Sequence, residues 1–330
     1  MDNNPELFPW QQSAWMQLKA YFSQSRIPQA LMVTGQNGLG KRQLVCQFAN
    51  SLLCQNRTLE YQACGQCRSC QLLAAQSHPD LYIIQPEEQG KNITINQIRK
   101  LISFLTLTSQ YDSYRLVIIH NAEKMNNAAA NSFLKCLEEP TERTTIILIS
   151  DKPGSLPATI ISRCHNLKIN CPKAEHAKIW LQQQRISGDL DALLSLSQGA
   201  PLLAQQHAND QILTLRRSCF TAWLEIIERR VSPVSIAEQW LQFSDSMLLF
   251  WLTTWVIDII KCYFHHNPVD CYNPDFKDDL QELAQRLELK RLFKYYDLLL
   301  RQKQNLSTQL NKQLIFEEIL INWSQITRVK

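Results

Sequence analysis

The sequence predicts an α/β domain on a parallel sheet over its first half, followed by an all-helical second half. Three observations carry this. A buried-strand run, Ala30–Thr34, meets a Gly-x-x-x-x-Gly-Lys stretch at residues 35–41 that opens a helical pattern. Short apolar runs at Leu81–Ile84, 116–119 and 145–149 alternate with helical patterns, as strands and crossover helices do. From about residue 211 onward, one amphipathic pattern follows another.

Taken in order, Pro9-Trp10-Gln11 opens a helix in which Trp15, Leu18 and Phe22 recur at helical spacing, and residues 26–29 break it. After the strand, Gly35, Gly38 and Gly40 let backbone N–H groups turn inward toward phosphates, and Lys41 reaches the outermost ones. The next position should carry a Ser or Thr hydroxyl for Mg²⁺. Here it is Arg42, which has only donors and a permanent positive charge. Leu44, Val45, Phe48, Ala49, Leu52 and Leu53 then share one helical face.

Cys54 and the run Cys64-Gly-Gln-Cys67-Arg-Ser-Cys70 have the spacing of a tetrahedral thiolate site. No activating group stands beside them, so the expected metal is a structural Zn²⁺, worth ~10–16 kcal/mol in such sites. An iron–sulfur cluster is the rival, but its fourth cysteine position is Ala74. Unligated thiols, or His78 as a substitute ligand, are the other readings.

His78-Pro79-Asp80 leads into the second strand, and residues 90–92 form a turn. Ile95, Ile98, Leu101, Ile102 and Leu105 mark a helix before the third strand. In phosphate-loop enzymes that strand ends in an Asp that orients Mg²⁺, and in many ATPases of this class a Glu follows it. This chain has His120-Asn121, with Glu123 as a displaced candidate base. Residues 128–138 read as a helix stopped by Glu139-Pro140. The fourth strand ends at Ser150, where a polar group can sense a γ-phosphate. A short helix at 157–161 leads to Ser162-Arg163-Cys164.

Composition narrows the classes. With 34 basic and 30 acidic residues the net charge is +4, too balanced for strong unaided binding to nucleic acid. Arg216-Arg217 and Arg229-Arg230 read as solvated helix faces. A zinc module reading DNA directly is disfavoured, because only Arg57 and Arg68 lie close to the cysteines. No signal peptide is visible at residues 1–5. The most apolar run, 247–257, is shorter than the ~20 residues a bilayer span needs and reads as a buried helix, so no membrane is expected. Eleven cysteines without a secretory signal point to a reducing cytoplasm.

Together these motifs resemble the AAA+ family of bacterial clamp-loader subunits. The resemblance rests on residues 35–41, on Cys54, Cys64, Cys67 and Cys70, on Leu134-Lys-Cys-Leu-Glu138-Glu139-Pro140 and on Ser162-Arg163-Cys164. Pro9-Trp10-Gln11, His78-Pro79-Asp80 and the late Asn311, Leu314 and Glu317 also fit, and the likeness is strong over residues 7–170. It implies an AAA+ domain over 1–170 with a zinc insert at 54–70, a helical lid over 171–208, and an all-α collar over 209–330 that forms oligomers. It also implies a third departure: hydrolysing members carry a lid arginine where this chain has Leu202.

The expectation is a non-hydrolysing subunit of a DNA-directed DNA polymerase holoenzyme, without intrinsic ATPase or polymerase activity. Its phosphate loop binds ATP weakly or not at all. Arg163 is supplied in trans to a neighbouring ATPase as an arginine finger. The implied partners are gamma or tau ATPase subunits and the delta subunit, and indirectly the sliding clamp and primer-template DNA, in the cytoplasm at the replisome. The competing expectation is an active gamma- or tau-like ATPase.

Overall fold

The computed structural model describes residues 6–88, 90–106, 114–138, 143–265, 271–305 and 311–326. The helix stop at Glu139-Pro140, the turn at residues 266–268 and the residues at 1–5 lie outside the described residues. Packing divides the chain into two units, Met1–His176 with Ala200–Leu203, and Ala177–Gly199 with Ala204–Lys330.

The first unit holds, among the described residues, one five-stranded sheet. Its strands are β1 (Ala30–Thr34), β2 (Leu81–Ile84), β3 (Arg115–Ile119), β4 (Thr144–Ser150) and β5 (His165–Lys168). The order is β2-β3-β4-β1-β5 and every pairing is parallel. Strands β1, β3 and β4 are buried along their whole length, as parallel strands covered on both faces must be. Their alternate side chains feed two cores. Leu31, Val33, Leu116, Ile118 and Ile147 pack with α1 (Gln12–Ser23) and α2 (Lys41–Leu53). Met32, Val117, Ile119, Ile146 and Leu148 pack on the other face. There they meet Ile98 and Leu101, on the helix at Ile95–Leu105, and Phe133, on the helix at Asn127–Glu138.

Two elements went unforeseen. A short helix, α3 (Arg68–Ala74), follows the third cysteine of the cluster. Strand β5 buries only Leu167. Such an edge strand has no apolar alternation to read and rests on its ladder to β1, which Ile169 N–H continues to Thr34 O at 2.8 Å.

With β3, β4 and β1 adjacent and parallel, the turns after them converge at one edge of the sheet. This is where open α/β folds bind ligands. The helices numbered α4 (Ile95–Leu105), α5 (Asn127–Glu138) and α6 (Ala158–Ile161) complete this unit.

The second unit is helical. It is built from parts of α7 (Ala174–Gln183) and α9 (Pro201–Asn209), and from α8 (Leu190–Leu196), α10 (Ile212–Ile227), α11 (Pro233–Trp240), α12 (Asp245–Phe264), α13 (Lys277–Arg286), α14 (Leu289–Asn305) and α15 (Lys312–Ser324). Trp223, Trp251, Trp255, Phe316 and Trp323 are fully buried in one core. Trp223 and Trp323 stack at 3.7 Å, and Trp323 Nε1 donates to Trp223 O at 2.8 Å. Leu196 belongs to the same core and Ser195 Oγ donates to Tyr272 O, so packing groups much of the expected lid with the expected collar.

Two expectations need correction here. Helix α12 runs for 20 residues and is long and apolar enough to cross a membrane, whereas the apolar run alone is too short. Leu252, Trp255, Val256 and Ile259 are nonetheless fully buried, consistent with a core helix. Arg216 is no solvated charge. It is 1% exposed, paired with Asp275 and Asn273, and stacked on the Phe276 ring. A long guanidinium bonded through both terminal nitrogens and stacked on one face is tolerated in a core.

Candidate functional site

The turns after β1, β4 and β3 enclose a cavity of about 330 Å³, lined by Gly38, Gly40, Lys41, Arg42, His120, Asn121, Asp151 and Leu202 among others. Gly40 stands before the first turn of α2 at φ 74°, and a Cβ there would meet the Phe8 ring at 2.6 Å. Gly38, at φ 81°, packs against Leu203 just as closely. The loop therefore keeps the shape of a phosphate cradle, because only glycine fits both positions cheaply.

The charges inside the cradle are already partnered. Lys41 is 5% exposed, and its Nζ lies 2.6 Å from Asp151 Oδ1. It also donates to Gln36 O. Arg42, at the metal-hydroxyl position, donates through Nε to His120 Nδ1 at 3.2 Å and through Nη2 to Gln85 Oε1 at 2.8 Å. Burial, and next the Arg42 charge, push His120 down to about 4, so its imidazole is neutral at pH 7. With Nδ1 accepting from Arg42, the ring proton is on Nε2. Asn121 adopts the left-handed conformation at φ 52°. Glu123 is not among the residues lining the cavity. Ser150 Oγ accepts from Lys152 N–H at 3.2 Å. Leu202 contributes an apolar wall and its N–H donates to Gly38 O at 3.2 Å.

Sequence reasoning missed two contributors. Asp151 is the residue immediately after β4, one place beyond the serine it singled out. Gln11 is fully buried, and its Nε2 donates to Leu39 O and Gly40 O, each at 2.8 Å. Trp10 Nε1 joins it on Leu39 O at 3.0 Å. The Pro-Trp-Gln stretch is thus a strap across the loop, besides opening a helix. A Gln just inside a helix start carries no such message in one sequence.

Arg163 stands elsewhere, after α6, and does not line the cavity. Its Nη2 bonds Glu138 Oε1 at 2.9 Å and its Nη1 donates to Thr159 O at 3.0 Å, with the side chain 39% exposed. The structure thus separates the two groups expected to meet nucleotide phosphates.

The third locus is the insert. Cys54, Cys64, Cys67 and Cys70 bring their sulfurs within 4.8 Å of one another. The closest pairs are 3.6 to 3.9 Å apart. A tetrahedron with Zn–S near 2.3 Å has edges of ~3.8 Å, so the spacing of the thiols is compatible with zinc. Backbone N–H groups of Cys64, Cys67 and Cys70 point at the sulfurs of Cys54, Cys64 and Cys67. Backbone N–H bonds, from Gln66 first and Cys67 next, pull Cys64 down to about 6, toward the thiolate a metal needs. His78 is not a substitute ligand. Its Nδ1 accepts from Asp80 N–H at 3.1 Å, and its Nε2 meets Ser69 Oγ at 2.9 Å, which in turn donates to Leu53 O. The imidazole instead ties the insert to the last turn of α2.

A parallel sheet with a glycine-and-lysine loop, a cysteine insert and a helical second unit define an α/β protein of the phosphate-loop class. Residues 10–173 match the family model described as DNA polymerase III, delta subunit, and residues 210–325 match its C-terminal counterpart. The chain is similar to DNA polymerase III subunit delta' of Pseudomonas aeruginosa, at 32% identity over 97% of this chain and 98% of that one. The same subunit of Escherichia coli is 28% identical over 95% and 94%. A solved gamma subunit-related protein of Thermotoga maritima covers 94% of this chain and 100% of its own at 20% identity, with a TM-score of 0.47. The chain belongs to the delta-prime subunit family of DNA polymerase III.

Proposed function

We propose that this chain is a non-hydrolysing member of the clamp loader. It packs beside a gamma or tau ATPase subunit and beside the delta subunit, scaffolds the ring, and lends Arg163 to a neighbour's ATP site. The sliding clamp is thereby loaded onto primer-template DNA in the cytoplasm, at the replisome. The observation that carries the reading is the internal pairing of the cradle: Lys41 with Asp151, and Arg42 with His120. Hydrolysis needs Mg²⁺ and an oriented water. Here the position of the metal hydroxyl is a guanidinium. A neutral imidazole and an amide stand where carboxylates would.

The cysteine cluster would hold a structural Zn²⁺ through Cys54, Cys64, Cys67 and Cys70. Bound there, the ion would fix the insert and supply no chemistry to a substrate. Arg163 retains an exposed, half-committed guanidinium able to stabilise charge on a transferring phosphoryl group.

The test mixes the chain with gamma-type and delta-type subunits and measures assembly and clamp-stimulated ATP hydrolysis, alongside calorimetry of the chain with ATP and magnesium. Assembly together with silent calorimetry is expected. Turnover by the isolated chain that disappears with Lys41→Ala would instead favour an active gamma- or tau-like ATPase.

A further inference from the structure

We propose that Asp151 is a built-in anion that plugs the phosphate loop, and that neutralising it opens the loop as a magnesium-independent site for polyphosphate anions. The inference rests on reading this chain as a subunit that does not hydrolyse ATP.

The register of the sheet places the plug. Thr34, the last residue of β1, lies opposite Ser150, the last residue of β4. The next residue on β4 therefore emerges beside the loop, and Asp151 Oδ1 reaches Lys41 Nζ at 2.6 Å. A lysine 5% exposed must have a counter-charge, because an unpaired ammonium at that depth is strongly destabilising. Asp151 supplies it from within the chain. A tethered partner also acts at a high effective concentration, so a dissolved phosphate competes poorly with it. Any phosphate that entered would also lie beside the carboxylate's negative charge.

Take that charge away and the balance reverses. Lys41 loses its counter-ion, Arg42 lines the same cavity, and the glycine backbone keeps its cradle shape. Magnesium is not required, because Arg42, His120 and Asn121 offer no hydroxyl or carboxylate to hold it. The ligand class is thus a metal-free di- or triphosphate.

The experiment uses the full chain, with pyrophosphate and ATP as probes in the presence of a chelator, read by calorimetry and thermal melting. The Asp151→Asn variant is expected to bind pyrophosphate at least about tenfold more tightly than wild type. The Lys41→Met/Asp151→Asn double variant is expected to lose that gain. If Asp151→Asn leaves the free chain unfolded, recovery of a melting transition on adding pyrophosphate supports the plug, and no recovery overturns it. Equal affinity of wild type and Asp151→Asn, or a gain that survives without Lys41, also overturns it. A silent wild type with a silent, folded Asp151→Asn variant sinks only the plug. Tight magnesium-ATP binding with turnover by wild type sinks the reading beneath it.

Discussion

His120 is the residue whose protonation couples the cradle to stability. Its folded-state value of about 4 lies below the ~6.5 of an unfolded chain. Between those values the unfolded chain binds the extra proton, so this contribution is fully present above ~6.5 and is lost as pH falls toward 4. It is on the order of 3 kcal/mol. Urea midpoints of wild type should fall between pH 7 and pH 5 more steeply than those of His120→Gln; parallel slopes would remove the assignment. At Gly40, alanine faces both a left-handed backbone and the Phe8 ring, so a loss of about 1–2 kcal/mol is expected in denaturant unfolding. Arg42 and His120-Asn121 were legible as departures from a phosphate-loop pattern, because residue type alone says what cannot hold a metal. That Arg42 bonds His120, 78 positions away, was not legible, because strand order decides which turns meet.

At the level of elements, the insert was read from cysteine spacing alone, and the sulfurs do converge. The expected metal content is one zinc per chain, and Cys67→Ala should abolish it, as measured by atomic absorption. His78→Ala should keep the zinc, since the imidazole is occupied by Ser69 and Asp80, and should instead loosen the insert from α2. That loosening would appear as faster amide exchange over residues 54–74. Loss of zinc in His78→Ala would restore the imidazole as a ligand. Strand β5 shows the opposite case: one apolar residue in four gives periodicity nothing to detect. Helix α12 was foreseen as buried, but its C-terminal end was not, because Asp258 and Lys261 interrupt the apolar run before the helix stops at Phe264. Thr253 and Thr254 bond its own carbonyls, while Asp258 accepts from the Tyr272 and Asn273 N–H groups.

For the whole molecule, the second unit was legible as helix after helix, while the choice of partners within it was not. Trp223 and Trp323 are one hundred residues apart yet stacked. Trp323→Ala is expected to cost about 3–5 kcal/mol, read as a lowered unfolding midpoint. A loss below ~1 kcal/mol would mean this core does not depend on the stack. In the assembled loader, Arg163→Ala should lower clamp-stimulated ATP hydrolysis several-fold while leaving the assembly intact on size-exclusion chromatography. Hydrolysis at the wild-type rate would leave Arg163 with only its pairing to Glu138. That pair is half-exposed, so its release costs less than about 1 kcal/mol.

The strap formed by Trp10 and Gln11 has a practical corollary for handling the protein. Two side chains, of Trp10 and Gln11, hold the carbonyls of Leu39 and Gly40, so residues 28 and 29 positions apart form one mechanical piece. Trimming a recombinant version to begin after Gln11 would strip the floor from under the loop, even though every glycine and Lys41 remained. Fusion partners are therefore better attached at the far end of the chain than just ahead of Phe8.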